Sequence, residues 1–259
     1  MAEHMQRTNW KKFSLYSWVL NIPLCDDVFL SMQAQNIAVV DMMVIRDLEA
    51  AVIERFYADD QMPMDLVQLL SGLSQMWIYY LYEFLRTWRE RARKLLSAAE
   101  EYAAQNTPEK KEAVLKKHVD EIAERQKLSL IQFPFQTEEM NRIDNAHFIA
   151  RVRAYFDETD GLFRSAEALR VTLAKHEVPK TDKYRLLAEA PGYGRVDQLT
   201  GSMYWFFNLK DGTVDRVDRR TLANDFLYVT DTDPVTEKAE FDSSEKPKHK
   251  KKASKKKRA

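Results

Sequence analysis

Cysteine is nearly absent. Cys25 is the only one in 259 residues and cannot form an intramolecular disulfide, so a reducing cytoplasm is the default expectation. The polar start, MAEHMQRTNW, lacks the apolar stretch that a secretory signal needs. No run of about 18 consecutive apolar residues stands out, so no membrane span is expected. Most cofactor chemistry is missing too. Five scattered histidines and one cysteine make no zinc spacing. The six glycines form no phosphate-cradling loop, and no G-x-S-x-G element is present. PGYGR at 191–195 precedes strand-like sequence and reads as a turn. Neither a cofactor nor a metal is expected.

What is present is enough apolar residue, 45%, to build a real core. The net charge of zero hides an asymmetry. From Glu245 onward the chain holds eight lysines and one arginine against one glutamate, which leaves 31 basic against 39 acidic residues, a net −8, in residues 1–244. A lysine-rich tail with nothing apolar to bury should be disordered, and serves either as a solubilising segment or as a weak binder of polyanions.

Helical spacing is clearest over 62–102, where Leu66, Leu69, Leu70, Leu73, Trp77, Tyr80, Leu81, Phe84, Leu85, Trp88, Leu95, Leu96 and Ala99 recur at helical intervals. This predicts one helix about 60 Å long, the spine of the domain, or two helices broken at Gly72. Thr107-Pro108 predicts the start of a second helix to about Gln126. LSLIQFPFQ at 128–136 reads as an irregular connector, Thr137 as the cap of a helix to Phe156, and 161–177 as another helix. Residues 26–57 read as one or two helices, and WVLNIPL as a short strand or loop. Beyond Pro179, YGRVD, GSMYWFFNL and TVDRV form a three-stranded meander. Its second turn is signalled by Asp211-Gly212, and Asp218 caps a closing helix. Alternation in MYWFF puts Met203 and Trp205 on one side and Tyr204 and Phe206 on the other, at least one side being core. The fold class is therefore mainly α: a helical domain over 1–178, a β meander plus helix packed on it over 179–230, and a basic tail over 231–259.

Two arginine–histidine pairs are the candidate chemistry: Arg142 with His147 in NRIDNAHFIARV, and Arg170 with His176 in LRVTLAKHE. Each histidine also has a structural reading. His176 finishes the apolar stripe Leu162, Ala166, Leu169, Leu173, and His147 sits beside Met140, Ile143 and Ala150. With four and five intervening residues, the pairs resemble the R-x4-6-H motif of the HEPN superfamily, helical-bundle proteins that include ribonucleases. The long helix followed by late helices is similar to that layout over roughly 62–178. The resemblance implies RNA binding or metal-independent RNA cleavage in a bacterial stress or defence setting, by a homodimer. The histidine would act as general acid or base and the arginine as the phosphate clamp. In YYLYEFLRTWRERARK, Arg86, Arg89, Arg93 and Lys94 form a candidate RNA-binding strip, with Glu83 able to pair with Arg86 or to orient a site residue. The same strip is equally the solvated face of an amphipathic helix. The rival to an RNA-directed role is a non-catalytic helical scaffold that binds a protein partner.

Overall fold

The computed structural model describes residues 14–126, 141–175, 194–208 and 214–228. Ser14 accepts the Ser17 N–H and starts helix α1 (Leu15–Asn21). The expectation of a strand or loop at WVLN is thereby corrected. Capping by Ser14 and an anchor 209 residues away, the Trp18 indole donating to the Leu227 carbonyl at 3.0 Å, favour the helix.

Asp27 caps α2 (Val28–Val40) by accepting the Phe29 and Leu30 N–H groups, each at 3.0 Å. The helix continues through a π turn at Asp41–Ile45 into α3 (Arg46–Asp59). By length and composition, Val28–Asp59 could cross a membrane, with a mean hydropathy of 1.5 in its most apolar window, a property that reading for unbroken apolar runs overlooks. Here its inner face packs on α4 (Met64–Ala103) as the first arm of an antiparallel hairpin, with Leu30, Ala34, Ile37, Ile45 and Val52 buried.

Helix α4 is 40 residues long and continuous through Gly72. It contacts α2, α3, α5 (Pro108–Gln126), α6 (Ala146–Glu158) and α7 (Asp160–Lys175), and so acts as the spine. Leu70, Ile78, Leu81, Phe84, Leu85 and Trp88 form its buried stripe. The indoles of Trp77 and Trp88 donate to the carbonyls of Ile37 at 2.9 Å and Pro23 at 2.6 Å, tying the first hairpin arm and the loop before it to the spine. At Gly72 an added Cβ would meet nothing within 4 Å. Gly72→Ala is therefore expected to raise stability by about 0.5–1 kcal/mol, read as a higher urea midpoint at unchanged slope.

Thr107 caps α5 as its sequence predicts, accepting the Lys110 N–H at 3.4 Å. The helix expected over 137–156 is different. Residues 141–144 form a short helical turn, the chain breaks at Asn145, and Asn145 caps α6 by accepting the Phe148 N–H at 3.0 Å. Asparagine's side chain competes well for such N–H groups, so it starts a new helix instead of continuing an old one.

Strands β1 (Arg195–Val196), β2 (Met203–Asn208) and β3 (Val214–Asp218) pair antiparallel in that order. Asp218 then caps α8 (Arg219–Tyr228), accepting the Arg220 and Thr221 N–H groups at 2.8 and 3.2 Å. Met203 and Trp205 face inward, while Leu222, Ala223, Phe226 and Leu227 join the core that α4 defines. The connector 128–136, Thr137, Asp211-Gly212, His176 and the lysine-rich tail lie outside the described residues.

One polar cluster locks the C-terminal unit onto the first hairpin. Asp41 and Glu49 are eight residues apart, which on a regular α-helix would leave them about 80° out of line. The π turn takes up one extra residue, so the spacing acts as seven and both carboxylates aim the same way, within about 20°. Their common target is Arg219, fully buried. It donates to Glu49 Oε1 from Nε at 3.0 Å and from Nη2 at 2.7 Å, and to Asp41 Oδ1 from Nη1. Arg220 donates to the other Glu49 oxygen, and Arg46 bridges Asp41 at 2.7 Å and Asn224 at 2.8 Å. The Coulombic pull of Glu49 and Asp41 outweighs burial and raises the Arg219 pKa above its ordinary value.

Candidate functional site

The arginine–histidine pairs occupy two places. Arg142 belongs to the turn before Asn145, and its guanidinium pairs with Asp26 and lies 5.7 Å from the Phe148 ring. His147 stands on the other side of the helix break, exposed in the first turn of α6. Arg142 is thus turned to a carboxylate, and the break at Asn145 separates the two motif residues into different helical segments. Arg170 lies on α7 with its guanidinium 5.0 Å from the Tyr82 ring of the spine. Its motif partner His176 is outside the described residues.

The strip on α4 is not continuous. Arg86 is half exposed and pairs with Glu83 at 2.8 Å. Lys94 pairs with Glu90 at 2.6 Å, and Arg93 is exposed, 5.6 Å from the Phe156 ring. Arg89 is buried, which corrects its expected place among RNA-binding residues. It donates to the Phe156 carbonyl and to Asp160 Oδ1, both at 2.8 Å, and its guanidinium lies 3.8 Å from the Phe156 ring. The cation meets the last carbonyls of α6, the helix end whose dipole favours positive charge, and pairs with Asp160 in the first turn of α7, the end whose dipole favours a carboxylate. Burial is the main cause pulling its pKa below the usual guanidinium value. Arg89 is thus the joint between α6 and α7.

The outer face of the sheet gathers groups that the sequence left undecided. The register sets Arg195 opposite Tyr204 and Phe206 opposite Arg216, so all four share one face. Tyr204 and Phe206 are half-buried and meet edge to face at 5.3 Å, while Arg195 and Arg216 are exposed. The Arg216 guanidinium lies 3.9 Å from the Tyr204 ring, and that of Arg195 lies 5.6 Å from Phe206. Arg216 is oriented by Asp197 at 2.6 Å and Asp218 at 3.2 Å. Asp197 in turn accepts the Leu199 and Thr200 N–H groups at 3.0 and 2.9 Å. Burial alone would push the Asp197 pKa up, but the Arg216 and Thr200 hydrogen bonds override it and hold the carboxyl below its ordinary value. Arg195 carries no ion pair among the described residues. Strand alternation in MYWFF points to this face in sequence, but the two arginines come from other strands and only pairing reveals them.

Cys25 is buried, and burial, then Asp26 and Asp27, push its thiol well above the usual range, which suits a core residue and not a nucleophile. Among the described residues, no group of three or more His, Cys, Asp or Glu side chains is placed to hold a metal ion.

Fold and surface together define a mostly helical protein whose small antiparallel sheet presents aromatic and arginine side chains outward. Compared with protein-family models, with curated proteins and with solved structures, the chain matches none of them.

Proposed function

We propose that the protein binds single-stranded RNA on the outer face of its sheet. The observation that carries this reading is the set Tyr204, Phe206 and Arg195 on one face, with Arg216, held by Asp197 and Asp218, packed beside the Tyr204 ring. Unstacked bases need flat π surfaces, and the phosphates between them need cations, at strand-like spacing. RNA is preferred over other polyanions because the two R-x4-6-H motifs resemble those of a superfamily that acts on RNA. The reading is one of binding because the sheet face offers stacking and cationic groups, while Arg142 is turned to Asp26 and the other pair, Arg170 with His176, extends outside the described residues. The lysine-rich tail begins 17 residues after Tyr228, the end of α8, and would add sequence-independent attraction to the same ligand.

The test is fluorescence anisotropy of labelled single-stranded oligonucleotides across a salt series. Tyr204→Ala and Phe206→Ala are each expected to weaken binding about tenfold, as removal of a stacking platform does. Arg195→Ala should reduce the salt slope by about 0.7, the value for one phosphate no longer neutralised on a single strand. Removing residues 241–259 should weaken binding to every sequence alike. Binding that depends on the tail and ignores both aromatic substitutions would overturn the reading, and equal affinity for single-stranded DNA would remove RNA as the ligand class. RNA recovered from the mixture in EDTA should be intact. Cleavage abolished by His147→Ala or His176→Ala would restore the ribonuclease reading.

A further inference from the structure

Helix α2 and the π turn expose a face whose chemistry is unusual for a protein with 31% charged residues. From Val28 to Ile45 the only ionisable residue is Asp41, and it is buried against Arg219 and Arg46. Only 33% of this helix's most apolar window is buried inside the chain. Outward stand Phe29, Met32, Asn36 and Val39, stepping by three, four and three along α2, and Met43 in the π turn. Phe29, Met32 and Met43 are 62%, 54% and 66% exposed. That spacing is the a/d seam along which helices pair, and it places a single asparagine at the middle a position.

We infer that this seam is where a second copy of the chain docks, with Asn36 on the two-fold axis. The asparagine selects the occupant. Buried under a wholly apolar partner, its amide would lose water and gain nothing. A two-fold places Asn36 of one protomer opposite Asn36 of its partner, and an amide carries both donor and acceptor, so the pair satisfies itself. With no exposed charge between Asp27 and Arg46, the face has no pattern that would repel its own copy. The ends set the direction. Parallel helices would put Asp26 against Asp26 and Asp47 against Asp47, whereas antiparallel helices bring Asp47 toward the Asp26–Arg142 pair and oppose the helix dipoles. The seam spans about 20 Å. The inference does not depend on RNA binding.

Sedimentation velocity over a concentration series tests it. The wild type should be a dimer, and the double variant Met32→Glu/Val39→Glu should weaken association by about 100-fold or more, as like charges set against each other do. Both sites are exposed, so far-ultraviolet circular dichroism should be unchanged, while the melting temperature should fall only by the part that depends on protein concentration in the wild type. Under mild oxidation Asn36→Cys should form an interchain disulfide, while the wild type, whose only cysteine is buried, should not. A wild type that is monomeric at every concentration overturns the inference. So does a dimer that survives the double glutamate variant or fails to cross-link through position 36.

Discussion

Arg219→Met is expected to lower folding stability by about 3–5 kcal/mol. The methionine has similar length and fills the space, so the loss isolates the charge. Without Arg219, Asp41 and Glu49 are left in the interior with Arg46 and Arg220, both of which also reach toward the surface. A buried charge stripped of its partner costs far more than the pair gained by forming. Since a typical domain is stable by only about 5–15 kcal/mol, a sharp fall in the urea midpoint is the expected readout. The triple variant Asp41→Asn/Glu49→Gln/Arg219→Met should recover part of the loss, because the uncompensated charges are gone. A single variant as stable as the wild type would show that the cluster is hydrated and does not hold the C-terminal unit.

Gly201→Ala should be nearly as damaging, at about 3 kcal/mol or more, from a left-handed backbone penalty added to a clash that side-chain motion cannot relieve. The residue has φ +75, and a Cβ there would lie 2.2 Å from the Glu49 carbonyl oxygen and 2.8 Å from its carbon. Backbone meets backbone at this point. The turn before β2 therefore rests on the same stretch of α3 whose side chain holds Arg219 and Arg220. Thermal melts of the two variants, followed separately by far-ultraviolet circular dichroism and tryptophan fluorescence, should show the sheet and α8 released together. A Gly201→Ala protein melting like the wild type would contradict this close approach. Gly72→Ala, predicted to stabilise, provides the contrast between a glycine needed for geometry and one that is not.

Local signals were legible in the sequence. The spine helix, the Thr107 cap, the three strands and the Asp218 cap each rest on residues within a few positions of one another. What was not legible depends on distance along the chain. Nothing near Asp41 or Glu49 announces their partner, because Arg219 is 178 and 170 residues away. The one hint was a lone acid in an otherwise uncharged helix, since a buried carboxylate there demands a cation from elsewhere. The π turn leaves only a one-residue slip in periodicity, too small to separate from the scatter of a short helix. Arg89 looked like its neighbours Arg86 and Arg93, and only the approach of α6 and α7 distinguishes it. For the candidate site, the aromatic half of the sheet face could be read from β2 alone, whereas its arginines required the register.

The long reach of the Arg219 cluster also has a consequence for how the chain is made. Ribosomes add about 5–20 residues per second, so the 178 residues between Asp41 and Arg219 take roughly 10–35 s to synthesise. During that interval the hairpin of α2, α3 and α4 can form with Arg46 already on Asp41, but Glu49 has neither Arg219 nor Arg220 to meet and its inward carboxylate stays in water. The ion pairs that join the first hairpin to the C-terminal unit therefore form only after the last helix has been made.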